Sequence, residues 1–227
     1  MPKRKSYKYL LFDVDDTLFD FEKAESFAFE NTMREFGIAP TDELARRYSK
    51  INGELWLSLQ NGEITQSFLV TERFRRLGID RDPAAVNDRY IALMGSQAVL
   101  FDDTYEVCER LSGLYELYMI TNSVASVHRS RIGSCPITPF FRESFISGEL
   151  GHVKPSKGFF DAVSERIEGF DKEYALVIGD SPTSDLAGAL NYGIDCAYIN
   201  RRGRALPDGM SPEYTFSDLR GLYEILL

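Results

Sequence analysis

Five short strand-like runs, most of them continuously apolar, divide the chain. They lie at Tyr9 to Val14, Leu117 to Thr121, Ser144 to Ser147, Ala175 to Gly179 and Cys196 to Asn200. A strand that is apolar at nearly every position has both faces buried, which is typical of central strands in a parallel sheet. Apolar residues at helical spacing, such as Phe160, Val163 and Ile167, lie between the runs. The pattern therefore predicts an α/β fold in which helices cover a parallel sheet.

The interval between the first and second runs is longer than a connection between parallel strands requires. Such a crossover needs about a dozen residues, including its helix, whereas this interval spans about a hundred. It has helical stripes and no low-complexity sequence, and breaks at Gly37 to Pro40, Asn61-Gly62 and Gly78 to Pro83 would separate its helices. We predict a four-helix cap domain over residues 20–96 and a core domain formed by residues 1–19 and 97–227.

The net charge and the N-terminal sequence argue against two classes of binding partner. The formal net charge of -9 disfavours binding to a nucleic-acid polymer, because that affinity comes mainly from basic residues. Lys3, Arg4 and Lys5 precede an apolar run that Asp13 ends too early for a signal peptide or a membrane span. We therefore expect a cytoplasmic protein that binds neither nucleic-acid polymers nor membranes. The sequence does not fix the oligomeric state and is compatible with a homodimer.

The segment Asp13-Val14-Asp15-Asp16-Thr17 places carboxylates directly after the first apolar run. In open α/β sheets the carboxyl ends of the strands form the ligand site. Residues two apart in extended backbone point to the same side, so Asp13 and Asp15 can face one site. Two carboxylates this close repel each other unless a divalent cation or a shared proton compensates their charge. The alternative is structural, with Asp15, Asp16 and Thr17 forming a capped turn.

Polar residues follow two later strand-like runs. Thr121 and Asn122 come after the second run, where a hydroxyl and a loop amide suit phosphate binding. Lys154 precedes Pro155 and would supply a fixed positive charge for phosphate and for the paired carboxylates. Each residue also has a structural explanation, as a turn former or as a solvated lysine.

The run that ends at Gly179 is followed by two more acids, Asp180 and Asp185. Gly179 allows close approach of the backbone, and Asp180 is placed to ligate a cation shared with Asp13. Asp185 would either ligate through water or hold its loop. Its structural explanation is a favourable charge in a first helical turn.

The combination and order of these residues resemble the four motifs of the haloacid dehalogenase superfamily. The matching segments are Asp13-x-Asp15-x-Thr17, Thr121, Lys154-Pro155 and Gly179-Asp180 through Asp185. The inserted helices lie where that superfamily places its class 1 cap, so the resemblance extends over the whole chain. It implies a Rossmann-like, doubly wound parallel sheet with a helical cap, and a phosphatase that requires Mg²⁺.

The resemblance also implies roles for the acidic residues. Asp13 would attack phosphorus and form an aspartyl phosphate, while Asp15 would protonate the leaving oxygen and then activate water. Mg²⁺ would be held by Asp13, Asp180 and the backbone carbonyl of Asp15. The implied phosphate-binding groups are Thr121, the amide of Asn122 and Lys154. The implied supporting residues are Thr17, Gly179 and Asp185.

Two segments, Leu11–Phe21 and Gly179–Asp185, look most like the pyrimidine 5'-nucleotidases of that superfamily. The resemblance thus implies a small phosphorylated metabolite as substrate, with a nucleotide as the leading candidate. Dehalogenases of the superfamily lack a carboxylate at the position of Asp15, so its presence favours phosphate esters. Phosphosugar phosphatase, phosphoglycolate phosphatase and phosphomutase are alternatives, as is a non-catalytic binding module on the same fold.

Overall fold

The computed structural model describes residues 6–227, so Lys3, Arg4 and Lys5 lie outside the described residues. By their contacts the residues form two compact units. The first comprises the described residues up to Asp20, together with Leu100–Ser123 and Ser134–Leu227. The second comprises Phe21–Val99 and Val124–Gly133. The cap domain predicted over residues 20–96 stays a prediction, and its limits did not include residues 124–133.

A six-stranded sheet forms the centre of the first unit. Its strands are β1 (Tyr9–Phe12), β2 (Glu116–Thr121), β3 (Phe141–Ile146), β4 (Ala175–Gly179), β5 (Asp195–Ile199) and β6 (Tyr214–Phe216). They pair in parallel in the order β3-β2-β1-β4-β5-β6. The chain moves outward from β1 to β3 and then returns to the other side of β1, so the strand order reverses there. The carboxyl end of β1 is therefore where such a sheet binds ligands.

Ten α-helices follow β1 along the described part of the chain, between the later strands and after the last of them. In chain order they are α1 (Phe21–Glu35), α2 (Asp42–Gln60), α3 (Gln66–Leu77), α4 (Pro83–Gly95), α5 (Thr104–Ser112), α6 (Ala125–Ile132), α7 (Ser147–Leu150), α8 (Lys157–Arg166), α9 (Ala187–Tyr192) and α10 (Tyr223–Leu226). Within residues 6–227, none is both long and apolar enough to cross a membrane. The predicted α/β class and the doubly wound parallel sheet are confirmed.

The apolar strands are buried as their composition predicts. All four residues of β1 and all five of β4 are buried, since parallel strands in the middle of a sheet carry helices on both faces. Leu11 and Val177 share one apolar cluster with Phe160 and Val163 of α8. This packing fixes the ends of β1 and β4, after which the chain continues into Asp13 and Asp180.

The second unit is a bundle of α1 to α4 together with α6. Its aromatic core joins residues from four helices: the ring of Tyr48 lies 4.6 Å from that of Phe29, 5.5 Å from Phe74 and 5.7 Å from Tyr90, between centroids. Capping side chains precede α2, α3 and α4; at the start of α2 the Thr41 side chain accepts a hydrogen bond from the Leu44 amide at 3.2 Å. The four predicted helices of the insertion are present, with breaks where the sequence indicated them.

Candidate active site

Asp13 follows β1 directly, at the carboxyl end of the central strand. Its amide donates to the Ile178 carbonyl of β4 at 2.8 Å, which continues the sheet pairing by one residue. The side chain is buried, and both of its oxygens accept hydrogen bonds. Lys154 Nζ donates to Oδ1 at 2.6 Å and the Thr17 hydroxyl donates to Oδ2 at 3.2 Å. The orientation of the Asp13 carboxylate is thus fixed from two sides.

Lys154 lies inside a ring of acceptors. Its side chain is 1% exposed, and Nζ donates to Asp13 Oδ1 and Asp185 Oδ1, each at 2.6 Å, and to the Ile120 carbonyl at 3.0 Å. Burial alone would lower the pKa of Lys154, but the two adjacent carboxylates outweigh it and hold the pKa above its ordinary value. The lysine is therefore a permanent positive charge that compensates buried negative charge.

The Asn122 side chain is hydrogen-bonded to the backbone of Lys154. The Asn122 carboxamide accepts from the Lys154 amide at 2.8 Å and donates to the Lys154 carbonyl at 2.9 Å. Thr121, which is buried, accepts a hydrogen bond from the Ser123 amide at 3.0 Å on its hydroxyl. The sequence suggested the Asn122 amide for phosphate binding but did not indicate the contact with Lys154, because 32 positions separate the two residues.

Asp185 is fully buried in a wide π-type turn over Pro182–Leu186, just before α9. Besides Lys154, its carboxylate accepts from the Ser181 amide at 3.1 Å. A Cβ atom placed on Gly179 would overlap this carboxylate, so only glycine leaves the space that Asp185 occupies. Asp185 therefore holds both its own loop and the lysine.

Three carboxylates come together at this edge of the sheet. Asp13, Asp180 and Asp185 each offer an oxygen, and these oxygens lie within 4.8 Å of one another. Among residues 6–227 they are the one group of three such ligands. Burial and the charge of Asp185 raise the pKa of Asp13 to about 7, although Lys154 opposes the shift. Burial and the charges of Asp13 and Asp185 likewise raise the pKa of Asp180 well above its ordinary value.

This donor set fits a hard divalent cation. Carboxylate oxygens are the protein ligands that Mg²⁺ prefers, and three carboxylates lie here beside the buried Lys154, so negative charge is in excess when they are ionised. A bound cation would relieve that excess. The Asp15 side chain is half-buried. It does not belong to the group of three carboxylates formed by Asp13, Asp180 and Asp185.

Asp15 is carried by a tight loop that closes on itself. The Asp16 amide donates to the Phe19 carbonyl at 2.8 Å, and the Leu18 and Phe19 amides both donate to the Val14 carbonyl at 2.9 Å. Asp16 has a φ of 61°, in the left-handed region that few residues other than glycine adopt. The loop therefore fixes the backbone on either side of Asp15.

Two arginines that the sequence pattern did not single out hold this loop. Arg201 donates to the Thr17 carbonyl at 3.0 Å, and Arg202 donates to Asp16 Oδ1 at 3.0 Å. Both follow the carboxyl end of β5, at the same edge of the sheet as Asp13. Their position after a predicted strand was the available signal, but 184 and 186 positions separate the partners.

A family model, related sequences and a solved structure all match this chain, and they indicate the same family of hydrolases. The model of the haloacid dehalogenase-like hydrolase family matches residues 7–193. The chain is 33% identical to YfnB of Bacillus subtilis (strain 168), a protein named as a HAD-hydrolase, over 98% of this chain and 96% of that one. A crystal structure of YfnB, described as bound to magnesium and as revealing interdomain movement, matches with a TM-score of 0.92 over 98% of this chain and 99% of that chain.

Two further relatives carry the name pyrimidine 5'-nucleotidase. PynA of Streptococcus pneumoniae (strain ATCC BAA-255 / R6) is 34% identical over 86% of this chain and 84% of its own length. YjjG of Escherichia coli (strain K12) is 28% identical over 97% of this chain and 98% of its own length. The family model covers the strands β1 to β4, the helices α1 to α4 and the acidic cluster. This chain therefore belongs to the haloacid dehalogenase-like hydrolases.

Proposed function

We propose that the protein is a Mg²⁺-dependent phosphatase that hydrolyses a small phosphate monoester through an aspartyl phosphate on Asp13. The observation that carries the proposal is the buried Asp13 carboxylate, held by Lys154 Nζ at 2.6 Å and grouped with Asp180 and Asp185. A fixed carboxylate at a ligand-binding strand end is suited to nucleophilic attack. Asp15, two residues on, is suited to proton transfer.

The proposed reaction has two transfers. In the first, an oxygen of Asp13 forms a bond to phosphorus, the bond from phosphorus to the leaving oxygen breaks, and Asp15 gives that oxygen its proton. In the second, Asp15 takes a proton from water, the water oxygen bonds to phosphorus, and the bond between Asp13 and phosphorus breaks. One residue thus serves as acid and then as base, which divides a slow hydrolysis into two easier steps.

Asp13, Asp180 and the backbone carbonyl of Asp15 would hold Mg²⁺, with Asp185 supporting them from its buried turn. When bound, the cation neutralises negative charge on the phosphate and on the carboxylates. The description of the YfnB crystal as bound to magnesium supports this choice of ion. In this proposal Thr17 orients Asp13, and Gly179 leaves room for Asp185.

The remaining phosphate oxygens would bind to Thr121, to the backbone amide of Asn122 and to Lys154. Lys154 already donates to three acceptors, so a phosphate oxygen would share a hydrogen with Asp13 or Asp185. Such preorganised donors stabilise charge as it redistributes in the transition state. The clamp of Asn122 on the Lys154 backbone keeps this donor in place.

The leading substrate is a nucleoside 5'-monophosphate. The names of PynA and YjjG support this class, since both are pyrimidine 5'-nucleotidases that match most of the chain. The leaving oxygen of a nucleotide is an alkoxide, which is a poor leaving group and needs a proton donor. A carboxyl group at Asp15 can supply that proton.

Phosphate release from a substrate panel tests the proposal. Purified protein is assayed with and without Mg²⁺ against nucleoside monophosphates, sugar phosphates and phosphoglycolate. We expect release that depends on Mg²⁺, is fastest with pyrimidine nucleotides, and is lost in Asp13→Asn but not in Asp208→Asn, a matched change at an exposed position. Turnover that survives Asp13→Asn would contradict the mechanism. No release from any nucleotide would contradict the substrate class.

A further inference from the structure

We propose that Arg201 and Arg202 are positioning residues that set the orientation of Asp15 for proton transfer to the leaving oxygen. The inference rests on the proposed function, in which Asp15 is the proton donor. The hydrogen bonds that the two arginines make to the loop end on the Thr17 carbonyl and on Asp16, the two residues that follow Asp15. Their effect on the reaction would therefore pass through the loop that carries Asp15.

Arg201 joins the loop to a buried anchor. Its side chain is 14% exposed, and its guanidinium donates to the Thr17 carbonyl at 3.0 Å and to both oxygens of Asp103, at 2.9 and 3.1 Å. Asp103 is 2% exposed and also accepts from the Leu219 amide at 2.7 Å. The Arg201 guanidinium lies 3.9 Å from the ring centroid of Phe101. All three hydrogen bonds come from Nη2, so this one nitrogen ties the Thr17 carbonyl to the buried Asp103 carboxylate.

Arg202 acts on the residue between Asp15 and Thr17. It donates to Asp16 Oδ1 at 3.0 Å, and Asp16 is the residue other than glycine that has a positive φ, 61°, among residues 6–227. That backbone conformation costs roughly 1 kcal/mol for a residue with a Cβ atom, so it persists when surrounding contacts hold it. The ion pair supplies one such contact immediately after Asp15.

The loop also accepts hydrogen bonds at Leu18, from two residues that follow the insertion in the chain. The Thr104 hydroxyl donates to the Leu18 carbonyl at 2.9 Å, and the Phe101 amide donates to the same carbonyl at 3.3 Å. Two consecutive carbonyls, those of Thr17 and Leu18, are thus fixed by groups from distant parts of the chain. With Val14 fixed by its own hydrogen bonds to the loop, Asp15 has little backbone freedom, and release of the arginine contacts would restore some of it.

Dependence on the leaving group separates positioning of an acid from general structural support. A dinitrophenolate leaves without a proton, whereas an alkoxide needs one. Loss of Asp15 orientation should therefore slow an alkyl phosphate far more than 2,4-dinitrophenyl phosphate. A loss of stability or of phosphate binding would slow both substrates by similar factors.

The experiment measures kcat/KM for 2,4-dinitrophenyl phosphate and for the alkyl phosphate that the wild-type protein hydrolyses fastest. For Arg201→Met we expect a fall of about 10- to 100-fold with the alkyl phosphate, which is part of a full general-acid effect of about 10²- to 10⁴-fold, and a change of less than about 3-fold with the aryl phosphate. Arg202→Met should change the ratio in the same direction by a smaller factor. Arg201→Lys, which keeps the charge, should recover part of the loss.

Two further variants calibrate the result. Asp15→Asn sets the largest change in the ratio, and Arg166→Met, at an exposed arginine that lies 3.9 Å from Glu143, should leave both substrates unchanged. Equal losses with the two substrates in Arg201→Met, or in Arg202→Met where the first variant does not fold, would overturn the positioning role alone. A wild-type protein without turnover on either substrate would instead overturn the proposed function.

Discussion

Gly179 shows how one missing side chain permits a buried charge. The space that its Cβ would take is filled by the Asp185 carboxylate, which in turn accepts from Lys154. The sequence indicated close backbone approach at this glycine but not what approaches it. That information lies in the π-type turn of Pro182–Leu186, a conformation that no local propensity predicts.

Gly179→Ala should therefore displace Asp185 and disturb Lys154. We expect a loss of about 1 to 3 kcal/mol in the free energy of unfolding, typical of overpacking, together with a large loss of turnover. Gly53→Ala is the matched control, because Gly53 lies within α2 and a Cβ added there would meet no neighbouring group within 4 Å; it should stabilise by about 0.5 to 1 kcal/mol. Chemical denaturation measures both changes. A Gly179→Ala protein with the same free energy of unfolding as the wild type would contradict the overlap between the added Cβ atom and the Asp185 carboxylate.

The raised pKa of Asp13 predicts a pH dependence of stability in metal-free buffer. Burial and Asp185 raise this pKa from 3.8 to about 7, so the folded protein binds a proton that the unfolded chain releases near its ordinary pKa. The contribution of Asp13 to stability is therefore complete below about pH 4 and is lost as the pH rises through about 7. Over that window it falls by up to about 4 kcal/mol.

Asp13→Asn removes this titration and so supplies the reference. The free energy of unfolding of the wild-type protein, minus that of Asp13→Asn, should fall between about pH 4 and pH 7. Asp208→Asn, at an exposed position, should parallel the wild-type profile. A wild-type minus Asp13→Asn difference that stays constant, or rises with pH, would show that Asp13 is not held in an unfavourable charge environment.

At the scale of elements, continuous apolar runs predicted the interior of the sheet better than its edges. Five of the six strands lie where the sequence indicated them. At the edge strand β3, however, pairing begins at Phe141, and Arg142 and Glu143 are exposed, so its first half lacks a continuous apolar run. The other edge strand, Tyr214–Phe216, has three residues and none is buried. Half-covered strands are weakly marked in sequence because one side faces water.

Thr41 caps the start of α2, and its substitution tests that cap. Thr41→Ala removes the acceptor for the Leu44 amide at the start of α2 and should cost about 1 kcal/mol in the free energy of unfolding. Thr41→Ser keeps the acceptor and should cost less. Turnover of an aryl phosphate should stay unchanged in both variants. Equal stability of the alanine and serine variants would contradict a capping role.

At the scale of the whole molecule, the sequence predicted an insertion but not the full membership of the helical unit. The helix α6 follows β2 in the chain, yet its Val127 lies in the same apolar cluster as Met94 of α4. A Cβ on Gly95 would lie 3.1 Å from Ser130 of α6, so the two helices approach closely. Such long-range packing has no local pattern in either segment.

The site depends on the same kind of long-range assembly. Asp13, Lys154 and the pair Asp180 and Asp185 come from three separate parts of the chain, and the superfamily resemblance predicted that they act together. The contacts of Asn122 with Lys154, and of Arg201 with Thr17 and Asp103, do not follow from the motifs that carry the resemblance. They join loops whose proximity follows from the strand order alone.

In the proposed reaction, Asp13 becomes covalently phosphorylated during turnover. The most direct measurement is mass spectrometry of the protein after rapid acid quenching, in the presence of Mg²⁺ and excess substrate, followed by peptide mapping. We predict a species heavier by one phosphoryl group, located on Asp13, that is absent in Asp13→Asn and present in Asp208→Asn. The same species should accumulate in Asp15→Asn with an aryl phosphate, because its hydrolysis lacks a base. Turnover with no phosphorylated protein in any of these samples, or a phosphoryl group on another residue, would contradict nucleophilic attack by Asp13.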